Sequence, residues 1–410
     1  MFSRKFLLGR KDQQNGIVVC LYSCFKGRIK IAIVKFLVYM VVLLLNLFFL
    51  SGKEEKVIRY VDVSSVNGEL ARVLPVYVNL RDTVSGDTLY LEFTNQGLPR
   101  SAYRKISTGV CIDGECRRLQ ISVYWDLTGR YLGFELPAGE FLSKSGHRPF
   151  SSEEYQRLHV LLANRYSALA NYKLEELVHV ENASSGEVDA VSSATVKEVL
   201  GSVVDGAVYT CYALWHIVYG NSQREVQKLA LQYFSEELAM QLLASADSET
   251  RIWALNHLGK LGLWSGELEQ NVLRLIGSRN YYLAERAISS FPQNMIDSPV
   301  LQKKIVALFE TSEYQVKRLL ALKLMNATVL SDELKNGLAA SLPNYRGPLA
   351  LNVLDLFIRH RVNDVPTCLQ IAKLLDGEDK LLAKKAFDYL SQLSLGDRQI
   401  KKQLKSFRSE

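Results

Sequence analysis

The chain has 410 residues, 48% of them hydrophobic, with a formal net charge of +7. That length and apolar content suit two or three folded domains and exclude a disordered chain. The charge excludes a nucleic-acid surface, because residues 1 to 35 hold eight basic side chains against one acid, Asp12, and so account for the whole excess.

After that basic segment (1–30) comes an uncharged run, Phe36 to Leu50. Taken from residue 31 to 50, it reaches the roughly 20 residues that cross a bilayer. A basic flank on one side only predicts a cytoplasmic N-terminus and a translocated remainder. The expected location is the bacterial inner membrane, single-pass, with the bulk of the chain periplasmic. A signal peptide cut near Ser51 and Gly52, or a buried core helix, are the alternatives. Cys20 and Cys24 then fall on the reducing side, and Cys111 and Cys116 on the oxidising side.

From about Val57 to Phe134 the apolar period is two, as in Val76 to Leu80, Thr88 to Phe93 and Arg118 to Trp125, which predicts sheet. In the last of these Leu119, Ile121, Val123 and Trp125 alternate with Gln120, Ser122 and Tyr124, so the strand should be half buried. "DLTGR" (Asp126 to Arg130) is a turn into a second strand, "YLGFEL". In "CIDGEC", Asp113 and Gly114 suit a two-residue turn that sets Cys111 opposite Cys116, with Cα atoms about 4.5 Å apart. A cross-strand disulfide is expected there, with free or metal-binding thiols as the alternative.

Helix follows at Ser151, where Ser151 and Glu154 have capping-box spacing and Tyr155, Leu158, Leu162, Tyr166 and Leu169 recur at helical period. A nearly uncharged helix, Val203 to Tyr219, should pack on the sheet. Beyond Ser222 the chain becomes amphipathic helices separated by polar turns. Ala254, Ala287, Ala321, Ala350 and Ala386 recur at spacings of 33, 34, 29 and 36 residues. A period near 34 suggests an α-solenoid, loosely HEAT-like, and the alternative is an irregular helical bundle. The expected fold is thus an α+β domain (57–220) and an all-α solenoid of HEAT-like repeats (222–405), behind one N-terminal transmembrane helix.

Between Val188 and Val199 the chain reads "VDAVSSATVKEV". Asp189, Ser192, Ala194 and Thr195 resemble D-x-x-[ST]-G-A-[ST], the flavinylation motif of the FMN-binding domain in subunits of sodium-pumping NADH:quinone reductase and related complexes. That resemblance implies covalent FMN held by a phosphoester on Thr195, installed outside the cytoplasm by a flavin transferase. It also implies a redox partner protein. Position 193 is Ser where the motif has Gly. If Thr195 opens a helix, the phosphodiester would sit where free backbone N–H groups favour an anion. A plain Ser-rich loop with Thr195 as N-cap is the other reading.

His147 lies in "SKSGHRPF" beside Lys144 and Arg148, a basic loop that could contact a flavin or phosphate, although a solvent-facing histidine is the commoner case. His216, on the apolar helix, reads as a satisfied core residue. Two functions follow. One is an electron relay whose repeats dock a partner, the other a membrane-tethered scaffold whose flavin domain is degenerate.

Overall fold

In the computed structural model the described residues are 36, 38–41, 57–64, 66–80, 86–109, 118–177, 199–262 and 264–408. The chain divides into Met1–Val57 and Ile58–Glu410. In the first unit, positions 36 and 38–41 are helical and exposed. The rest of the 31–50 run lies outside the described residues. No described helix is long and apolar enough to cross a membrane.

The second unit begins with a six-stranded antiparallel sheet. Its strands are β1 (Ile58–Val61), β2 (Leu70–Tyr77), β3 (Thr88–Thr94), β4 (Pro99–Thr108), β5 (Leu119–Asp126) and β6 (Tyr131–Leu136), in spatial order β1-β6-β5-β4-β3-β2. Strands β2 to β6 therefore form a meander, and β1 closes the far edge on β6. The β5–β6 hairpin forms at the expected turn. Asp126 N donates to Arg130 O at 2.9 Å, and Gly129 takes φ +80°, a conformation open to glycine at no steric cost. A second glycine is needed at Gly133, where a Cβ would stand 2.0 Å from Tyr60 O of β1.

Leu119, Ile121, Val123 and Trp125 are buried, as the alternation requires. Tyr124, expected on the wet face, is buried too. The reason is a row of rings on that outer face. Tyr90 stacks on Tyr103 at 4.8 Å, Tyr103 on Tyr124 at 5.0 Å, and the Arg59 guanidinium lies 5.5 Å from the Tyr124 ring centre.

Strand β2 is an edge that exposes Leu70, Val73, Leu74 and Tyr77. Val78 N donates to Asp87 O, so in the regular register Val76 and Leu74 also face β3 and Pro75 turns outward. A proline there removes an outward donor, which blunts edge-to-edge pairing. Pro75→Val restores that donor and is expected to make the purified chain self-associate, seen as concentration-dependent mass in sedimentation. A variant that stays monomeric at all concentrations would remove this role for Pro75.

On the inner face lie α1 (Ser152–Ala163) and α2 (Val208–Val218), which pack on each other, with α1 also against β6. Both arms of the predicted capping box form at Ser151 and Glu154. Helix α1 ends earlier than its apolar period suggests. Asn164 caps it, Tyr166 is exposed beyond the end, and Leu169 is buried from a separate 3-10 turn. The expected apolar helix begins at Val208 rather than Val203, after a turn in which Gly206 has φ +69°. It is buried against the sheet, where Trp125 Nε1 donates to Val218 O at 2.9 Å.

The remaining chain is helical: α3 (Asn221–Gln232), α4 (Glu236–Leu243), α5 (Ser248–His257), α6 (Gly266–Ile276), α7 (Tyr281–Ser290), α8 (Gln293–Ile296), α9 (Pro299–Thr311), α10 (Tyr314–Leu324), α11 (Asp332–Ser341), α12 (Gly347–Arg359), α13 (Val365–Ala372), α14 (Lys380–Gln392) and α15 (Arg398–Arg408). Contacts run in two interleaved series. One joins α5, α7, α10, α12 and α14 in turn. The other joins α4 to α6, and α9, α11, α13 and α15 in turn. The Lys304–Glu269 ion pair links α9 to α6. The result is a two-layered helical stack.

All five repeating alanines fall on the first series and are fully buried. A methyl side chain at each crossing lets neighbouring helices approach closely. The polar turns before these helices act as caps, since Asp247, Asn280 and Asp379 each accept from a backbone N–H in the first turn. Side chains reach across the period as well. Lys323 Nζ donates to Ser289 O and Arg318 Nε to Asn352 Oδ1, both spanning 34 residues.

Candidate functional site

Residues 178–198 lie outside the described residues, and with them Asp189, Ser192, Ser193, Ala194 and Thr195. What the fold supplies is the two ends of that segment. Leu177 and Val199 are both buried in the core, and residues 199–202 are helical. Farther on, Arg157 Nη1 of α1 donates to Val203 O at 3.5 Å, which fixes the returning chain against α1. Thr195 is therefore four positions in sequence from the buried Val199.

Cys111 and Cys116 also lie outside the described residues. The strands on either side of them pair Thr108 with Leu119, the register that a two-residue turn at Asp113 and Gly114 calls for.

His147 occupies a tight turn between two short strands, Ser143–Lys144 and Arg148–Pro149. It is exposed and has φ 55°, an unusual left-handed value for a residue with a side chain. Its neighbour Lys144 is ion-paired to Glu154 in the first turn of α1, and that hydrogen bond is the main cause holding the Glu154 carboxyl below its usual range. The turn is thus fastened to α1 through Lys144, and His147 and Arg148 are both exposed. His216 sits on α2 with Nδ1 3.0 Å from Tyr212 O, and its ring lies 4.0 Å from the Tyr212 ring.

The sequence reading missed a cleft of about 270 Å³ where the sheet meets the first helices of the stack. Its walls come from the β5–β6 turn (Thr128, Arg130, Tyr131), the end of α1 (Asn164 to Tyr166), Tyr219, α3 (Gln223, Gln227) and Glu249. No local pattern could reveal it, since these positions are scattered over more than a hundred residues and only the hairpin turn carried a readable signal.

The chemistry of the cleft is largely satisfied. Arg130 is paired with Asp126 at 2.9 Å and approaches Asp247 at 4.0 Å, while Arg165 is paired with Glu249 at 3.3 Å. Tyr131 OH lies 3.2 Å from His159 Nδ1, and Tyr219 OH donates to Leu162 O at 2.7 Å. Burial pushes the Tyr219 phenol up to about 12, raises the Tyr131 phenol well above its usual range, and lowers His159. Burial likewise raises Asp126, against its bond to Arg130. Neither phenol ionises near neutral pH, and the imidazole favours its neutral form. The recess thus offers a polar lining whose two arginines are ion-paired.

The same region stitches the sheet to the stack. Gln223 Nε2 donates to Gly129 O at 2.8 Å, Gln227 Nε2 to Thr128 O at 2.7 Å, and Asn221 Nδ2 to Leu80 O at 2.6 Å. Compared with known proteins, the chain matches no protein-family model and no curated protein sequence.

Proposed function

We propose that this chain is a membrane-anchored extracytoplasmic flavoprotein, with residues 31–50 in the bilayer and FMN held covalently on Thr195. It relays electrons between a membrane donor and an extracytoplasmic acceptor, while the HEAT-like stack docks a partner. The observation that carries this reading is the stretch Asp189 to Thr195, which resembles the flavinylation motif and lies in a segment whose ends, Leu177 and Val199, are held in the core of an α+β domain. An acceptor hydroxyl on such a segment stays within a few residues of the folded body yet belongs to a stretch long enough for a transferase to reach.

In the modification the Thr195 hydroxyl oxygen attacks the FMN phosphorus of FAD. A new O–P bond forms, the bond to the adenylate oxygen breaks, AMP leaves, and the hydroxyl proton passes to solvent. When bound, the flavin supplies the redox chemistry and the protein supplies position.

Ser193 favours the second reading, a tethered scaffold with a degenerate flavin domain, because glycine at that motif position allows a conformation that a side chain resists. The test is co-expression of the full chain with a flavin transferase, followed by in-gel flavin fluorescence and intact mass after denaturation. An adduct of FMN mass is expected, absent in Thr195→Ala and increased in Ser193→Gly. No adduct in either the native chain or Ser193→Gly, or an adduct that survives Thr195→Ala, rejects covalent FMN on this residue and leaves the scaffold.

A further inference from the structure

Helix α15 is the last described helix of the stack. Ile400 is buried, Leu404 and Phe407 pack against the core, and the Phe407 ring lies 5.0 Å from Phe387 of α14. Asp397 fixes its start by accepting from Gln399 N at 2.8 Å and Ile400 N at 3.0 Å. The outer face of a stacked helix is polar, and mixed charges would serve for solubility. This face carries one sign only. Arg398, Lys401, Lys402, Lys405 and Arg408 are all exposed, and the helix contains no acid.

At 3.6 residues per turn these five cations fall within about a third of the helix circumference. Lys402 and Arg398 lie farthest from Ile400, Leu404 and Phe407, while Arg408 borders the packed face, its guanidinium 5.5 Å from the Phe387 ring centre. Like charges three and four residues apart repel and cost helix stability. An apposed anionic surface relieves that repulsion.

We propose that the basic face of α15 docks on an anionic phospholipid surface, giving the protein a second, electrostatic contact with the bilayer. The choice of lipid over another polyanion rests on the anchored reading. A chain held to a membrane through residues 31–50 meets phospholipid headgroups at far higher effective concentration than any soluble acidic partner. The basic arc has no exposed apolar side chain among its five positions, so the helix lies on the headgroups without inserting. The contact is therefore expected to weaken as ionic strength rises.

The test uses the full chain carrying an inserted protease site after Gly52. The protein is reconstituted into vesicles of phosphatidylcholine alone or mixed with phosphatidylglycerol, then cut. The released body is expected to leave the neutral vesicles and to stay with the anionic ones at low salt, with a bound-to-free ratio higher by about tenfold or more. High salt should detach it. The variant Lys401→Glu/Lys402→Glu/Lys405→Glu should leave both vesicles, its melting curve reporting whether the cap still packs. Equal release from the two vesicles, or anionic retention that survives charge reversal, overturns the proposal. So does a DNA fragment that binds the native body and not the reversed variant while the vesicles make no difference. An uncut chain that fails to stay on neutral vesicles overturns only the anchored reading. The body is then added from solution to both vesicles, and the reversed variant decides.

Discussion

Trp125→Ala is expected to destabilise the sheet by about 3 to 5 kcal/mol, the range for truncating a large core aromatic. Two causes add. Trp125 is fully buried on the inner face of β5, so its removal leaves a cavity between sheet and helices. Its indole N–H also donates to Val218 O at the end of α2, and that carbonyl would be left without this donor inside the protein. Trp125→Phe separates the two, because it keeps most of the volume and loses only the donor. About 1 to 2 kcal/mol is expected for it. The readout is the urea midpoint by far-UV circular dichroism on the purified chain. Should both variants shift the midpoint equally and slightly, the indole does not hold α2 to the sheet in this way.

Sequence made the local devices legible and left the long-range ones hidden. The β5–β6 hairpin was readable because alternation and turn chemistry agree within 18 residues, from Leu119 to Leu136. The capping box at Ser151 was readable for the same reason, and so were the buried alanines, which the chain repeats at nearly constant spacing. Strand β4 was not singled out. Its inward positions are Ala102, Arg104 and Ile106, and a buried arginine in the middle breaks the apolar alternation that announces a strand. Tyr124 was assigned to water because its burial comes from Tyr103 on a neighbouring strand. The cleft at Arg130 and Arg165 had no signal for the same physical reason, being assembled from segments that only the fold brings together. The motif at Asp189 to Thr195 was visible as chemistry alone, and its test is the adduct.

Arg104→Met is expected to cost about 3 to 5 kcal/mol, since it removes two hydrogen bonds from a charged donor, each worth about 1.5 to 3 kcal/mol. The guanidinium is fully buried beneath the first helix of the stack. Its Nε donates to Gly86 O at 2.7 Å and its Nη1 to Ser222 Oγ at 2.8 Å. Methionine fills a similar volume, so the loss would come mainly from polar atoms stripped of their donor. Ser222 lies in the first turn of α3, and its bond to Arg104 crosses 118 residues from sheet to stack. The substitution should therefore loosen the joint between the two halves as well as the sheet. Ser222→Ala alone removes one hydrogen bond and should cost about 1 kcal/mol. If the joint acts as a unit, the double variant loses less than the two single losses combined. Hydrogen exchange locates the effect: faster exchange is expected in β4 and in α3 together. Strict additivity, with exchange rising in β4 alone, would make Arg104 a local feature of the sheet and leave the amides of Asn221, Gln223 and Gln227 to carry the junction.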